Sequence, residues 1–284
     1  MLKLIDGIVE LYKKVASSVP PDVERAIAGA CEAEPAESPG RGALALLVER
    51  MRAARAAKMP VCRDAGIPVF WIKIPRGLSQ NEIGGIVIEG TKAAAKKISF
   101  HAEGVLESLM GGPAPVEGYP IIYFEESEGT SLVIDLLLNG ADCENAGRLF
   151  TLTEGGLTAG GVILPHGYDA IAGCIEEAVA GAEGKVCFPL IAAVGVGSSR
   201  EQVAALSKRQ LMRKLNGSTS QENSPVHEFE GKVLTNINGS ANNHGLRTAL
   251  IGVKMAVAPI HPASLFVDVT ISCWALRRGR LIWS

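Results

Sequence analysis

Three cysteines stand in unusual local settings. Cys62 lies in the turn Pro60-Val61-Cys62-Arg63-Asp64-Ala65-Gly66, Cys187 in Gly184-Lys185-Val186-Cys187-Phe188-Pro189, and Cys273 in Cys273-Trp274-Ala275-Leu276-Arg277-Arg278. Each falls at the edge or end of a β-rich run, where loops can converge, and a thiolate is both a nucleophile and a metal ligand. For any one of them alone the plainer reading, a small buried hydrophobe, is the better one. Two proton-transfer side chains stand in the same neighbourhoods: Asp64, two positions after Cys62, and His261, twelve before Cys273. Taken alone, Asp64 reads as an Asx-turn residue before Gly66 and His261 as a loop histidine before Pro262. The other cysteines are Cys31, Cys143 and Cys174, and no CxxC pair exists, so neither a zinc ribbon nor a thioredoxin-type site is indicated.

A further candidate is Gly195-Val196-Gly197-Ser198-Ser199-Arg200, glycines between an apolar run and a helix start, where anions can bind. Arg200 replaces the third glycine of a dinucleotide fingerprint and no Walker lysine follows, so a tight strand-to-helix turn is preferred. Lys208, Arg209, Arg213 and Lys214 read as the solvated side of the helix that follows.

These residues need a scaffold, and the chain is long enough to build one. Its 284 residues contain 47% apolar and 20% charged side chains, ordinary globular usage that excludes disorder, collagen and coiled coil. A net charge of −2 argues against a dedicated nucleic-acid binder. No apolar run approaches the ~20 residues of a membrane span. The N-terminus has Asp6 and Glu10 inside its apolar part, unlike a signal peptide, so the cysteines are expected in a reducing cytoplasm.

The first third reads as helices: about residue 2 to Ser17, a second after Pro20-Pro21, a loop from Cys31 to Gly42, and a third with Leu44, Leu47, Val48 and Met51 on one stripe. Strands and helices then alternate. Ile67 to Ile74, Pro120 to Phe124, Leu132 to Leu138 and Pro189 to Val194 read as strands, with Glu125 to Gly129 as an acidic turn. Asn81 to Lys97 and about His166 to Ala182 read as helices, as does a segment from Ser198-Ser199 carrying Val203, Leu206, Leu211 and Leu215. Asn216 to Pro225 reads as an exposed loop, and residues 251–257 and 265–273 alternate with the period of strands. The expected fold is α/β, a mixed β-sheet with flanking helices and a helical N-terminal layer. We expect one domain over 1–284, its helical layer at 1–58 and its mixed α/β part at 59–284.

In order along nearly the whole chain, from about residue 5 to Arg278, these motifs resemble the α subunit, or N-terminal half, of iron–sulfur hydro-lyases: class I fumarase and L(+)-tartrate dehydratase. PVCRDAG at 60–66 matches P-L-C-Q-D-T-G, and GADCEN at 140–145 matches G-G-G-S-E-N. CFP at 187–189 and GVGS at 195–198 match C-P-P and G-I-G-G. HPASLFVDVTISCWALRR from His261 to Arg278 matches H-T-A-S-L-P-V-A-V-N…C-W-A-x-R, the most specific piece. The resemblance implies a [4Fe–4S] cluster on Cys62, Cys187 and Cys273, with one iron open as a Lewis acid for a small hydroxy acid. It also implies proton transfer by Asp64, donation to a substrate oxygen by His261, and carboxylate binding by Arg63 and the backbone at Gly140, Ala141 and Asp142. A separately encoded β subunit, homodimerisation into an α2β2 assembly, and no nucleic-acid or membrane partner are implied as well.

The departures bear on substrate. Arg63 replaces Gln and Ala65 replaces Thr, while two glycines of G-G-G-S-E-N have become Ala141 and Asp142. The family's Leu-Arg pair after the Asn81 to Lys97 helix is not evident, Phe100-His101 standing nearby instead, and residues 239–247 replace G-P-M-G-L-G-G. The alternative reading is a divergent member that binds a cluster or another ligand without dehydratase activity of its own.

Overall fold

The computed structural model describes residues 2–98, 120–152, 157–159, 162–164, 167–215, 224–240, 246–261 and 263–284. It divides into two compact units. The first comprises 1–20, 50–141 and 277–284, and the second 21–49 and 142–276.

In the first unit, α1 (Leu2–Ser17) and α4 (Gln80–Lys97) cover one face of a four-stranded sheet in the order β10-β3-β1-β2. Its strands are β1 (Ile67–Pro75), β2 (Ile121–Ser127), β3 (Leu132–Asn139) and β10 (Arg277–Trp283); β1 runs parallel to β2 and antiparallel to β3. Leu4, Ile8, Leu11, Tyr12 and Val15 recur at helical spacing and are buried against Phe70, Ile72, Ile134 and Val87. Each such aliphatic side chain contributes roughly 1.5–3 kcal/mol by leaving water. Tyr12 packs edge-on to Phe70 with ring centroids 5.8 Å apart, and its hydroxyl hydrogen-bonds with that of Thr91 at 3.0 Å. Burial pushes the Tyr12 hydroxyl well above its ordinary pKa. Ser79 caps α4, its hydroxyl accepting the Glu82 N–H at 3.3 Å. The strand β2 runs two residues further than Glu125 as a turn would allow, because Glu125 and Glu126 stay in register with Lys73 and Ile74.

The second unit is built on a sheet in the order β4-β9-β7-β8. Its strands are β4 (Arg148–Leu152), β7 (Leu190–Gly197), β8 (Leu250–Val257) and β9 (Leu265–Cys273). All eight residues of β7 are buried, as expected of a central strand covered on both faces. The helices α2 (Pro21–Ala33), α6 (Tyr168–Gly181), α7 (Arg200–Gln210) and α8 (Pro225–Gly239) pack against these strands or on one another. The short α5 (Ala141–Ala146) and the small pair β5 (Leu157–Ala159) and β6 (Val162–Leu164) complete the chain order, with α3 (Pro39–Ala57) running across the boundary between the units.

Several local expectations change. The loop proposed for Cys31 to Gly42 shrinks to residues 34–38, because Ala-rich α2 continues to Ala33 and Pro39 sits at the first turn of α3. Gly195-Val196-Gly197 is not a turn but the end of β7, paired with Asp268, Val267 and Phe266. A Cβ on Gly195 would stand 2.8 Å from the Ser207 N and closer still to the Val203 O, so glycine is what lets α7 lie on the strand. That helix stops at Gln210, and Leu215 is buried beyond it with its N–H donating to Asp22 Oδ2 at 2.8 Å. The basic residues on and after α7 are not a solvated face. Lys208 pairs with Glu144, and Arg213 Nη1 donates to Glu230 Oε1 at 2.8 Å; only Lys214 is exposed. Of the loop expected at Asn216 to Pro225, residues 216–223 lie outside the described residues, as do Phe100-His101 and residues 241–245. Among the described residues, no helix is long and apolar enough to cross a membrane.

Gly195→Ala is expected to cost about 3 kcal/mol, since the added methyl meets helix backbone that cannot yield. Gly231→Ala, inside α8 with open space at its Cβ, is expected to gain about 0.5–1 kcal/mol. Urea denaturation of both variants measures the contrast.

Candidate active site

The Cys62 turn is held from several sides. The Val61 N–H donates to Ala16 O at 2.9 Å, and Arg50 Nε donates to Val61 O at 2.9 Å. Asp64 does close an Asx-turn, its Oδ1 accepting the Gly66 N–H at 2.8 Å, but its second oxygen accepts the Ala141 N–H at 2.8 Å. Both carboxylate oxygens are therefore oriented by backbone donors. Below them Arg277, only 2% exposed, donates from Nη1 to Asp64 O at 2.7 Å and to Ala65 O at 3.3 Å. Gly66 has φ 77° and is hemmed in, since a Cβ there would stand 3.0 Å from Arg277 Nη2 and from Asn139 O. The departure Ala65 is tolerated because its carbonyl, not its side chain, makes the contact with Arg277. Arg63 is exposed, one residue from Asp64.

The segment 140–145 is not an open loop. It begins α5, with Cys143 buried and Asp142 exposed, and the Ala141 N–H is already engaged by Asp64. Glu144 pairs with Lys208 of α7.

Cys187 and Cys273 share one end of the second unit's sheet. Leu190 of β7 lies opposite Cys273 of β9, and Cys187 precedes Leu190 by three residues, across a cis Phe188–Pro189 peptide. Cys187 is exposed and Cys273 partly so, as is Cys62 in the first unit. The remaining cysteines differ. Cys143 and Cys174 are buried, and the Cys174 thiol is pushed up to about 12, first by burial and then by Glu177. Cys31 donates its S–H to Arg41 O at 3.6 Å.

His261 is brought to neither cysteine. Its N–H donates to Ser198 Oγ just after β7, and Gly197 at that end of the strand lies opposite Phe266. The eight steps of β9 from Leu265 to Cys273, at about 3.3 Å each, put about 26 Å between the two ends of the strand pair. His261 is exposed, and its Nδ1 accepts the Ala263 N–H at 3.2 Å, so the neutral ring carries its proton on Nε2. The Gly195–Arg200 motif has no anion role here: Ser199 caps α7 by accepting the Gln202 N–H, and the Ser198 N–H donates to Gln202 Oε1 at 2.9 Å.

One polar cluster escaped the sequence reading. Asp268 Oδ2 accepts hydroxyl bonds from Ser207 and, at 3.2 Å, from Thr270, while the Ser207 and Thr270 hydroxyls lie 2.8 Å apart. Asp268, Thr270, Lys208, Glu144 and Arg148 line a cavity of about 240 Å³. Burial raises the Asp268 carboxyl above its ordinary pKa, against the lowering effect of both hydroxyls and Lys208. The available signal was an acid inside an apolar strand, at the position where the quoted motif has Ala.

Among the described residues of either unit, no three His, Cys, Asp or Glu side chains are gathered as a metal site. Cys62, Cys187 and Cys273 keep solvent access, as does Cys31, whereas Cys143 and Cys174 are buried and Cys174 resists ionisation.

The family model for fumarate hydratase (fumerase) matches residues 5–281. The chain belongs to the fumarate hydratase family of hydro-lyases. This fumarate hydratase family member is 32% identical, over 98% of its length, to a Geobacillus stearothermophilus protein named fumarate hydratase class I, of which it spans 54%. It is 28% identical to a Methanocaldococcus jannaschii protein named L(+)-tartrate dehydratase subunit alpha, covering 98% of this chain and 96% of that one. The L(+)-tartrate dehydratase subunit alpha of Escherichia coli O157:H7 is 23% identical, over 99% of this chain and 90% of its own.

Asp268→Asn is expected to stabilise the folded chain at neutral pH. A carboxyl whose folded pKa is raised favours the native state while protonated and loses that contribution as pH rises from its ordinary value through the folded one. The variant's gain in urea midpoint should therefore shrink as the pH is lowered from 7.5 toward 4, and a constant gain would contradict it.

Proposed function

We propose that this chain is the α-type subunit of an iron–sulfur hydro-lyase that adds or removes water at a small hydroxy acid. The observation that carries the reading is that Cys187 and Cys273 come to one end of the second unit's sheet, Cys187 exposed and Cys273 partly so. Cys62 is the third ligand in this reading. It stands two residues from Asp64, and the chain needs only four residues to pass from Cys273 to Arg277, which bonds the Cys62–Gly66 loop.

Bound to Cys62, Cys187 and Cys273, a [4Fe–4S] cluster would supply a Lewis acid for the substrate's hydroxyl and carboxylate. The chain's own groups do the rest. Asp64, fixed through both oxygens, takes the proton from the carbon next to the substrate's other carboxylate. Arg63 offers an exposed guanidinium to a carboxylate, and the backbone at Gly140, Ala141 and Asp142 shapes the same edge. The Ala141 N–H serves Asp64 rather than substrate, which makes Arg63 the larger contributor to anion binding. The Nε2–H of His261 lies a strand's length from Cys187 and Cys273, out of reach of a substrate held there by the same copy.

The relatives named as alpha subunits support a separately encoded β subunit, and we infer an α2β2 assembly. A reducing compartment, the cytoplasm, keeps the ligand thiols available.

Co-expressed with its β chain and purified without oxygen, the complex should hold about four irons and four sulfides per copy of this chain. It should turn over a hydroxy acid such as malate or tartrate. Cys62→Ser, Cys187→Ser or Cys273→Ser should each sharply reduce bound iron, whereas Cys31→Ser should not. Asp64→Asn should keep the iron and lose about 10²–10⁴ in kcat. Iron-free protein under these conditions would sink the reading.

A further inference from the structure

Arg277 is a buried cation without an anion. It opens β10 opposite Leu138 of β3, and that register brings its guanidinium under the Cys62 turn, where the residue is 2% exposed. Nη1 donates to Asp64 O and Ala65 O, and Nη2 stands 3.0 Å from where a Cβ on Gly66 would lie. Nε is buried with no hydrogen-bond partner. Among the described residues, no carboxylate comes within ion-pair distance of this side chain. Arg280, three residues on and half exposed, is by contrast held by both oxygens of Asp135 at 2.6 and 2.9 Å. The arginine in water has the counter-ion, and the one removed from water has none.

The turn itself adds to the imbalance. Arg50 Nε donates to Val61 O at 2.9 Å and Arg63 lies within the turn, neither with a carboxylate partner among the described residues. Asp64 is the one acid of residues 60–66, and both its oxygens are engaged by backbone N–H groups. A charge taken out of water is costly unless an opposite charge and a full set of hydrogen bonds replace the solvent. Two carbonyls on Nη1 leave Nε and the net charge uncompensated. An iron–sulfur core on thiolates supplies what is missing, because three thiolates outweigh the positive charge of the oxidised core and leave the whole group anionic.

We propose that Arg277 is the buried counter-cation of the cluster that Cys62 helps to hold, raising its reduction potential and slowing the oxidative loss of its iron. The proposal rests on the iron–sulfur reading above. Asp64, whose carbonyl Arg277 bonds, has its Cα within about 7.5 Å of that of Cys62. A positive charge there favours the more negative, reduced state and opposes the removal of an electron that precedes iron release. Arg63 and Arg50 are exposed and screened by water and salt, whereas Arg277 is not.

Two variants separate charge from hydrogen bonding. Arg277→Lys keeps the charge and loses the two-pronged donor; Arg277→Gln keeps donors for the carbonyls and loses the charge. Each is prepared without oxygen as the complete complex with its β chain and titrated with dithionite, the one-electron reduction being followed by paramagnetic resonance. Bound iron is then counted during exposure to air. Arg277→Gln should shift the oxidised-to-reduced ratio at a fixed potential about tenfold toward oxidised, about 59 mV for one electron, and should lose iron faster. Arg277→Lys should stay close to wild type in both. Equal behaviour of the two variants, or a wild-type-like Gln variant beside an altered Lys variant, would show a donor that only shapes the turn and would overturn the proposal. If the Gln variant takes up no iron, the Lys variant decides: iron bound at the wild-type potential supports the proposal, and any other result overturns it. A wild-type complex without iron refutes the proposed function instead, and is seen before either variant is measured.

Discussion

The register between β7 and β9 governs what this molecule can do. Leu190 opposite Cys273 and Gly197 opposite Phe266 fix a rigid span with thiols at one end and a histidine at the other. The span is rigid because β7 is central and wholly buried, and a one-residue slip would turn every apolar side chain of both strands to the wrong face. The same pairing that brings two cysteines to one end of the sheet thus keeps the predicted proton donor away from them.

A second constraint acts on the Cys62 turn. Arg277 is a buried cation whose Nη1 donates to two backbone carbonyls, Asp64 O and Ala65 O. A charge removed from water must be compensated by hydrogen bonds, so this guanidinium demands that the loop keep its shape. Gly66, at positive φ and pressed between Arg277 and Asn139, makes that shape attainable. Asp64 is oriented as a consequence, one oxygen to its own turn and one to the start of α5. Rigidity here comes from the scaffold.

The cluster of Asp268, Ser207 and Thr270, with Lys208 and Glu144 beside it, shows a different economy. A carboxyl that burial drives toward its neutral form is kept by two hydroxyls and a nearby ammonium. Through Glu144 the same ammonium ties α7 to α5, so the helix that the motif GADCEN forms is anchored from the strand side.

Much was legible in the chain alone where a local rule decides. Apolar spacing marked α1 and α4, alternation marked β8 and β9, and the ordered motifs marked the family and the cysteines worth watching. What failed locally failed for tertiary reasons. The glycines of GVG looked like a turn, yet they extend β7 because α7 lies against them. The basic residues after Ser207 looked solvated, yet Glu144 and Glu230, distant in sequence, claim Lys208 and Arg213. Residue types and their order identify which side chains carry chemistry. Only strand pairing, which joins residues some 80 positions apart, decides which of them share an end of the sheet: Cys187 comes three residues before the partner of Cys273, while His261, nearer to Cys273 along the chain, is held a strand's length away.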